Sequence, residues 1–298
     1  MFSLSNAPSG RGEPRTPTVS DQRYSSTRGS SEAPARLRFT SVQAQNSEAV
    51  VASIASYLGD RLGLPVDFVD DVPWPERERM LDAGEIQVGW ICGLPYTWRV
   101  RSRIELLAAP VMRGSRYENR PVYFSDVLVR HDSRHRCFED LRGLRWAYNE
   151  PHSHSGYNVV RYHVARSGVG QGFFGKLVES GAHQESLRMI LDGEVDASAI
   201  DSMVLDRELA LHPEHYRGRL RTLVTLGPSP APPWVVHQRV APGLRVALHE
   251  ALTRMHTTRE GRAILEAGQT ERFAAVTDRD YDPIREMERV ATGVVLSA

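Results

Sequence analysis

Leu81-Asp82-Ala83-Gly84-Glu85-Ile86-Gln87-Val88-Gly89-Trp90-Ile91 resembles Leu191-Asp192-Gly193-Glu194-Val195-Asp196-Ala197-Ser198-Ala199-Ile200 once one residue is gapped. In each copy a helix ends at a glycine, which takes a left-handed C-cap without a Cβ penalty, and the chain passes at once into an apolar strand. Both strands stop at polar or turn-forming residues, Cys92-Gly93-Leu94-Pro95-Tyr96 in the first and Asp201-Ser202 in the second. Helix-glycine-strand units occur in any α/β protein, so coincidence is the bland account. The alternative is two similar lobes whose strand ends face one another. Ligands of open α/β sheets sit beyond the carboxyl ends of the strands.

The flanking sequence keeps the same grammar. Arg36-Leu37-Arg38-Phe39-Thr40 predicts a strand, and Asn46 or Ser47 caps a helix with Val50, Val51, Ile54 and Leu58 on one face. Val66–Val69 predicts a second strand, and Pro75 opens a helix through residues 76–81. This alternation predicts two α/β lobes, each a mainly parallel sheet flanked by helices. Residues 123–130 form a long strand placed to cross between lobes, and residues 221–226 with the proline-rich run 227–233 bring the chain back. The expected division is lobe 1 over residues 36–125, lobe 2 over 126–226, and a return to lobe 1 with C-terminal helices over 227–298. Helices are expected at 244–255, at 258–265 and from Asp282-Pro283.

Composition narrows the function. The 298 residues carry 37 basic and 37 acidic side chains, which excludes the basic footprint of a general nucleic-acid binder. Cys92 and Cys137 cannot build a disulfide framework or a four-cysteine zinc site. No stretch approaches the ~20 apolar residues of a membrane span. Residues 1–35 mix Ser, Pro, Gly and Arg without the apolar core of about 7–15 residues that a secretory signal needs. They read as a disordered leader, and the chain as written as cytoplasmic. His152 and His154 alternate, and His212-Pro213-Glu214-His215 sets two imidazoles three residues apart. Neither set has a clear third and fourth ligand, so no metal and no cofactor are expected.

The segment most loaded with chemistry is Asn149-Glu150-Pro151-His152-Ser153-His154-Ser155-Gly156-Tyr157, the turn from a strand at 144–148 into a helix that continues through Val160 and Val164. Serine hydroxyls beside the unpaired N–H groups of a helix start bind phosphate, sulfate or carboxylate. Gly156 would let backbone approach the anion. Plain capping by Ser153 or Ser155 is the competing account and needs one serine. In Ser180-Gly181-Ala182-His183, His183 starts a second helix, where it either donates to the same anion, titrating near neutrality, or caps and packs. Asp201, at its strand end, either accepts from a ligand ammonium or hydroxyl or caps the next helix.

Taken in order, Glu139-Asp140-Leu141-Arg142-Gly143, Glu150-Pro151-His152-Ser153-His154-Ser155-Gly156-Tyr157 with Arg161, Ser180-Gly181-Ala182-His183, Asp192-Gly193-Glu194-Val195-Asp196-Ala197 and Ile200-Asp201-Ser202 resemble the phosphonate/phosphite/phosphate-binding proteins of ABC importers. The tail is similar too, through Pro228-Ser229-Pro230-Ala231-Pro232-Pro233, Arg259-Glu260-Gly261, Arg272-Phe273 and Asp280-Tyr281-Asp282-Pro283-Ile284. The resemblance spans roughly residues 36–290. It implies the type II periplasmic-binding-protein fold, two α/β lobes joined by a two-strand hinge that closes on a ligand. It also implies a monomer outside the cytoplasm, a small anionic ligand and an ABC permease as partner. Carried over by position, the ligand contacts fall on Ser153, His154, Ser155, Gly156, Tyr157, His183, Asp201 and Tyr96. His154 stands where the family has threonine, exchanging a neutral hydroxyl for a titratable ring. The first-lobe contact that the family places after its first strand falls near Ser41-Val42-Gln43, where there is no tyrosine.

An enzyme on the same scaffold is the second expectation, since some relatives make the thiamin pyrimidine or act in menaquinone assembly. His152, His154, His163, His183 and Cys92 supply reactive side chains for it. A pyridoxal-phosphate route would need Lys176, the chain's single lysine, which sits between Gly175 and Leu177 in an expected surface linker.

Overall fold

The computed structural model describes residues 36–99, 103–168 and 171–297. The leader expected over residues 1–35 lies outside them. The chain opens with β1 (Leu37–Ser41), α1 (Glu48–Leu62), β2 (Val66–Val69), α2 (Trp74–Ala83), β3 (Val88–Trp90), α3 (Gly93–Arg99) and β4 (Ile104–Met112). Next come β5 (Val122–Arg130), β6 (Arg145–Tyr148), a π turn at His154–Asn158, α4 (Val159–Arg166), β7 (Lys176–Glu179), α5 (His183–Leu191), β8 (Ala197–Asp201), α6 (Ser202–Leu211), α7 (Pro213–Tyr216) and β9 (Leu220–Pro230). It closes with β10 (Trp234–His237), α8 (Pro242–Thr253), α9 (Arg259–Ala267), β11 (Thr270–Ala274) and α10 (Asp282–Val290).

The repeat at 81–91 and 191–200 is structural. Gly84 and Gly193 both adopt left-handed backbone, at φ 72° and 71°. Glu85 N–H donates to the Met80 carbonyl and Glu194 N–H to the Met189 carbonyl, at 2.8 and 2.9 Å, the same helix-ending bond in both copies. Each copy feeds a strand of a different sheet. The first sheet has the order β11-β4-β10-β3-β1-β2 and the second β7-β6-β8-β5-β9. The α1 face reads as expected, with Val51, Ile54 and Leu58 buried against Leu37, Phe39 and Val88. In the second lobe Trp146, Phe138, Phe173 and Phe174 form an aromatic core with Val160 and Val164.

Three expectations need correction. The sheets are mixed: only the trios β2-β1-β3 and β7-β6-β8 are parallel. Strands β5 and β9–β11 pair antiparallel with their neighbours. The strand at 123–130 does not cross between lobes; as β5 it lies wholly in the second sheet between β8 and β9. The passages therefore fall at residues 113–121 and 231–233, not near 125 and 226. Residues 227–230 continue β9 within the second sheet. That strand is an edge, where proline forfeits no ladder bond.

The tail is the third correction, since it does not stay with lobe 1. Helix α10 packs on both α3 and α4, and the chain then joins the second lobe. Phe174 N–H donates to the Leu296 carbonyl at 2.8 Å and Gly172 N–H to the Val295 carbonyl at 3.0 Å. Arg161 adds a bond to the Ala291 carbonyl at 2.7 Å, and Leu296 is buried in the second core.

Candidate functional site

The carboxyl ends of β3, β6 and β8 deliver the residues that converge. After β6, Ser153 takes extended backbone and caps the following turn, its Oγ accepting from Gly156 N–H at 3.0 Å. Asn158 N–H reaches back five residues to the Ser153 carbonyl at 3.0 Å, which makes the first turn a wide π turn running into α4. Only glycine fits at 156. A Cβ there would lie 2.0 Å from Asn149 Oδ1 and 3.2 Å from His183 Cε1. Gly156 thus makes room for the Asn149 and His183 side chains.

His183 opens α5 and is buried, with Nε2 3.2 Å from Ser155 Oγ and Nδ1 without a partner in the protein. Burial pushes its pKa down to about 4, so the ring is neutral at pH 7 and does not titrate near neutrality as expected. Asp201, also buried, accepts from Met203 N–H at 2.8 Å with Oδ1 and so caps α6. Burial, with Asp126 and Asp206 nearby, raises its pKa to about 7. Of the two alternatives raised for Asp201, the structure forms the helix cap. Glu150, four residues upstream of His154, is likewise pushed up to about 7 by burial, with Glu78 and Glu179 adding to the effect.

His154 turns away from this group. Asn158 Nδ2 donates to its Nδ1 at 3.2 Å, which leaves Nε2–H to donate to Ser229 Oγ at 2.9 Å. The ring is fully buried and its pKa is pushed down to about 3. In place of the family threonine, His154 ties the turn to β9 and offers the site its backbone only. Tyr157 also departs: its ring packs on Tyr148 at 4.9 Å and under the Arg161 guanidinium at 5.5 Å. Tyr96 is engaged elsewhere as well, its hydroxyl donating to Asp278 at 3.0 Å and its ring 4.7 Å from Tyr281.

Other residues stand close to the turn. Cys92, at the end of β3, brings its sulfur to the backbone N–H groups of His154 and Leu94, and burial pushes its pKa up to about 12. Tyr123 of β5 is buried, with its hydroxyl facing Ser155 short of full hydrogen-bond geometry. Desolvation raises its pKa well above the usual phenol range. Across the cleft mouth, the His152 ring stands edge-on to Trp98 at 5.1 Å and to Trp74 at 6.3 Å. The mouth itself encloses about 520 Å³ between Gln43, Trp74 and Arg77 on one side and Asn149, Glu150 and His183 on the other.

Electrostatically the site is made of neutral donors. Among the described residues, no arginine or lysine hydrogen-bonds Ser153, Ser155, His183 or Asp201. Among the described residues lining the mouth the one arginine, Arg77, spends its guanidinium on the Val72, Ser41 and Asp70 carbonyls and on Glu48. Positive potential comes from the helix starts of α4 and α5 instead. Such a site can hold an oxyanion by hydroxyls, imidazole N–H and backbone amides. His212, Glu214 and His215 do bring ligand atoms within 4.8 Å of one another, but on the exposed surface.

Two α/β lobes, with the carboxyl ends of their strands turned to a shared cleft, define a two-lobed substrate-binding protein of the type II periplasmic fold. The family model described as "ABC transporter, phosphonate, periplasmic substrate-binding protein" matches residues 39–281, and the chain belongs to that family. It is a family of transport receptors and not of enzymes, and the enzyme reading of the scaffold is set aside. Among solved structures, a binding protein component of an ABC phosphonate transporter from Pseudomonas aeruginosa is 19% identical and superposes with a TM-score of 0.76 over 86% of each chain. PhnD1 from Prochlorococcus marinus, in complex with methylphosphonate, is 17% identical with a TM-score of 0.76 over 88% of this chain and all of that one. The periplasmic aliphatic sulphonate binding protein of Escherichia coli is 16% identical with a TM-score of 0.59, covering 87% of both. No described helix is long and apolar enough to cross a membrane.

Proposed function

We propose that the protein captures a small oxyanion of the phosphonate type at the Ser153–His154–Ser155 turn and hands it to an ABC permease outside the cytoplasm. One observation carries the reading. His183 Nδ1 and the Tyr123 hydroxyl are buried polar atoms without protein partners, and both belong to side chains that meet Ser155 at a helix start. Hydrogen bonds to a charged group are worth ~1.5–3 kcal/mol each, so a few of them suffice for micromolar affinity once closure costs are met. Calorimetric titration with methylphosphonate, phosphate, methanesulfonate and acetate tests it, with saturable heat expected and methylphosphonate tightest. No heat from any of the four anions overturns it.

The carboxyls give this binding a pH dependence of known sign. An anion beside Asp201 is bound more tightly when that carboxyl carries its proton. With a folded pKa of about 7, affinity is therefore highest below neutrality and falls as pH rises through 7 to 8. Asp201→Asn removes that part of the slope, and whatever remains belongs to the ligand and to Glu150. A slope identical in the wild type and in Asp201→Asn, measured by calorimetry from pH 6 to 8.5, would show that Asp201 does not face the ligand. By the same logic, Asp201→Asn changes affinity most for ligands carrying an amine.

A further inference from the structure

Helix α6 gives way at His212 to a short turn that gathers metal-binding atoms well away from the anion site. Within His212-Pro213-Glu214-His215, a nitrogen of each imidazole and an oxygen of the Glu214 carboxylate all lie within 4.8 Å of one another. Glu214, between the two histidines in sequence, thus supplies the third ligand that spacing alone leaves open. His215 Nε2 stands 3.5 Å from Glu214 Oε1, and the two imidazole rings face each other at 5.4 Å with planes 16° apart. Around a tetrahedral ion with bonds of about 2.0–2.1 Å, neighbouring ligand atoms are roughly 3.4 Å apart. The Glu214–His215 pair is already near that spacing. All three side chains are exposed, so rotation about their side-chain bonds closes the remaining distances without moving the backbone.

That backbone is held independently of any ion. Pro213 opens α7, where its fixed φ suits a helix start. His212 N–H donates to the Glu208 carbonyl at 2.8 Å, His215 N–H to the His212 carbonyl at 3.0 Å and Arg217 N–H to the Pro213 carbonyl at 2.9 Å. Helix α7 also packs back on α6. The Glu214 carboxylate is available as well. Among the described residues it pairs with no arginine or lysine, whereas Glu185, Asp192 and Glu194 of the same lobe all pair with Arg188.

We propose that His212, Glu214 and His215 form a binding site for a divalent transition-metal ion such as zinc. Imidazole nitrogen suits zinc, copper and nickel, while magnesium and calcium take oxygen ligands. Two histidines and one carboxylate leave a position of a tetrahedral ion for water. The site is separate from the anion turn, since α6, capped by Asp201, runs 10 residues before His212, about 15 Å of helix.

Calorimetric titration of zinc chloride into the full chain, first dialysed against a chelator, is expected to show saturable binding of a single ion per chain, and magnesium chloride is expected to give no heat. His212→Ala and His215→Ala each weaken zinc binding by about 100-fold or more, because losing even a residue behind a direct ligand costs roughly 10–100-fold. Glu214→Gln, which keeps the shape and loses the charge, weakens it too. Cys137→Ser removes the exposed thiol of the same lobe and leaves zinc binding unchanged. Zinc raises the melting temperature of the wild type but not of the double variant His212→Ala with His215→Ala, and that double variant keeps the wild-type affinity for methylphosphonate. Zinc binding that survives in the double variant, or that disappears in Cys137→Ser, overturns the proposal. So does the lack of any saturable zinc binding below the millimolar range.

Discussion

A protein carrying Ser155→Ala and His183→Ala together loses methylphosphonate binding by a factor of about 10² to 10⁴, while its melting temperature stays within a few degrees of the wild type. The loss follows from two hydrogen bonds to a charged ligand at ~1.5–3 kcal/mol each. The fold survives because the two side chains are each other's partners, 3.2 Å apart. Removing both leaves no unmatched group between them, whereas removing one strands the other in a buried setting. The single variants are therefore expected to be less stable than additivity with the double variant would give. Calorimetry and thermal melts on the three proteins check this. Unchanged affinity in the double variant means the anion is held elsewhere.

Arg77→Met is expected to cost about 3–5 kcal/mol of stability, the range for breaking one side of a buried ion pair. The Arg77 guanidinium, on α2, collects the Ser41 carbonyl after β1, the Asp70 and Val72 carbonyls after β2, and Glu48 at the start of α1. Only 8% of the residue is exposed. Methionine fills most of the volume and satisfies none of these acceptors, so the loop ends that frame the cleft on the first lobe come apart together. For a protein of this size, about 2–4 °C per kcal/mol translates the loss into a fall of roughly ten degrees. Arg77→Lys keeps the charge without the planar fork and lands between the two. A melting temperature within two degrees of wild type for Arg77→Met would show that the carbonyls find water instead.

What could be read from the chain, and what could not, divides by the range of the interaction. Gly84 and Gly193 announced both lobes because a left-handed helix end is a local matter of Cβ sterics. The Ser153 cap belongs to one turn and was legible too, whereas the crowding that demands glycine at 156 comes partly from His183, 27 residues on. Tyr96 shows where position alone fails. Its backbone is placed after β3 as the resemblance implies, but Asp278, 182 residues away, takes its hydroxyl. Tyr123 and Ser229 were hidden because their strands read as passages between lobes, while their pairing in β5 and β9 holds them beside the turn. The protonation of His154 and His183 was misjudged for a related cause, since no spacing reports the burial that drives both rings neutral.

The tail that follows α10 has a mechanical meaning. Two connecting segments, at 113–121 and 231–233, define an axis about which the halves can swing like a door. The stretch from α10 to Ser297 adds a third attachment, fastened to the first half by Trp98 to Glu288 at 2.8 Å and to the second by the Phe174 to Leu296 bond. A door with a chain opens to the length of the chain. Lengthening the stretch between Glu288 and Leu296 is therefore expected to widen the aperture without touching a single residue of the cleft.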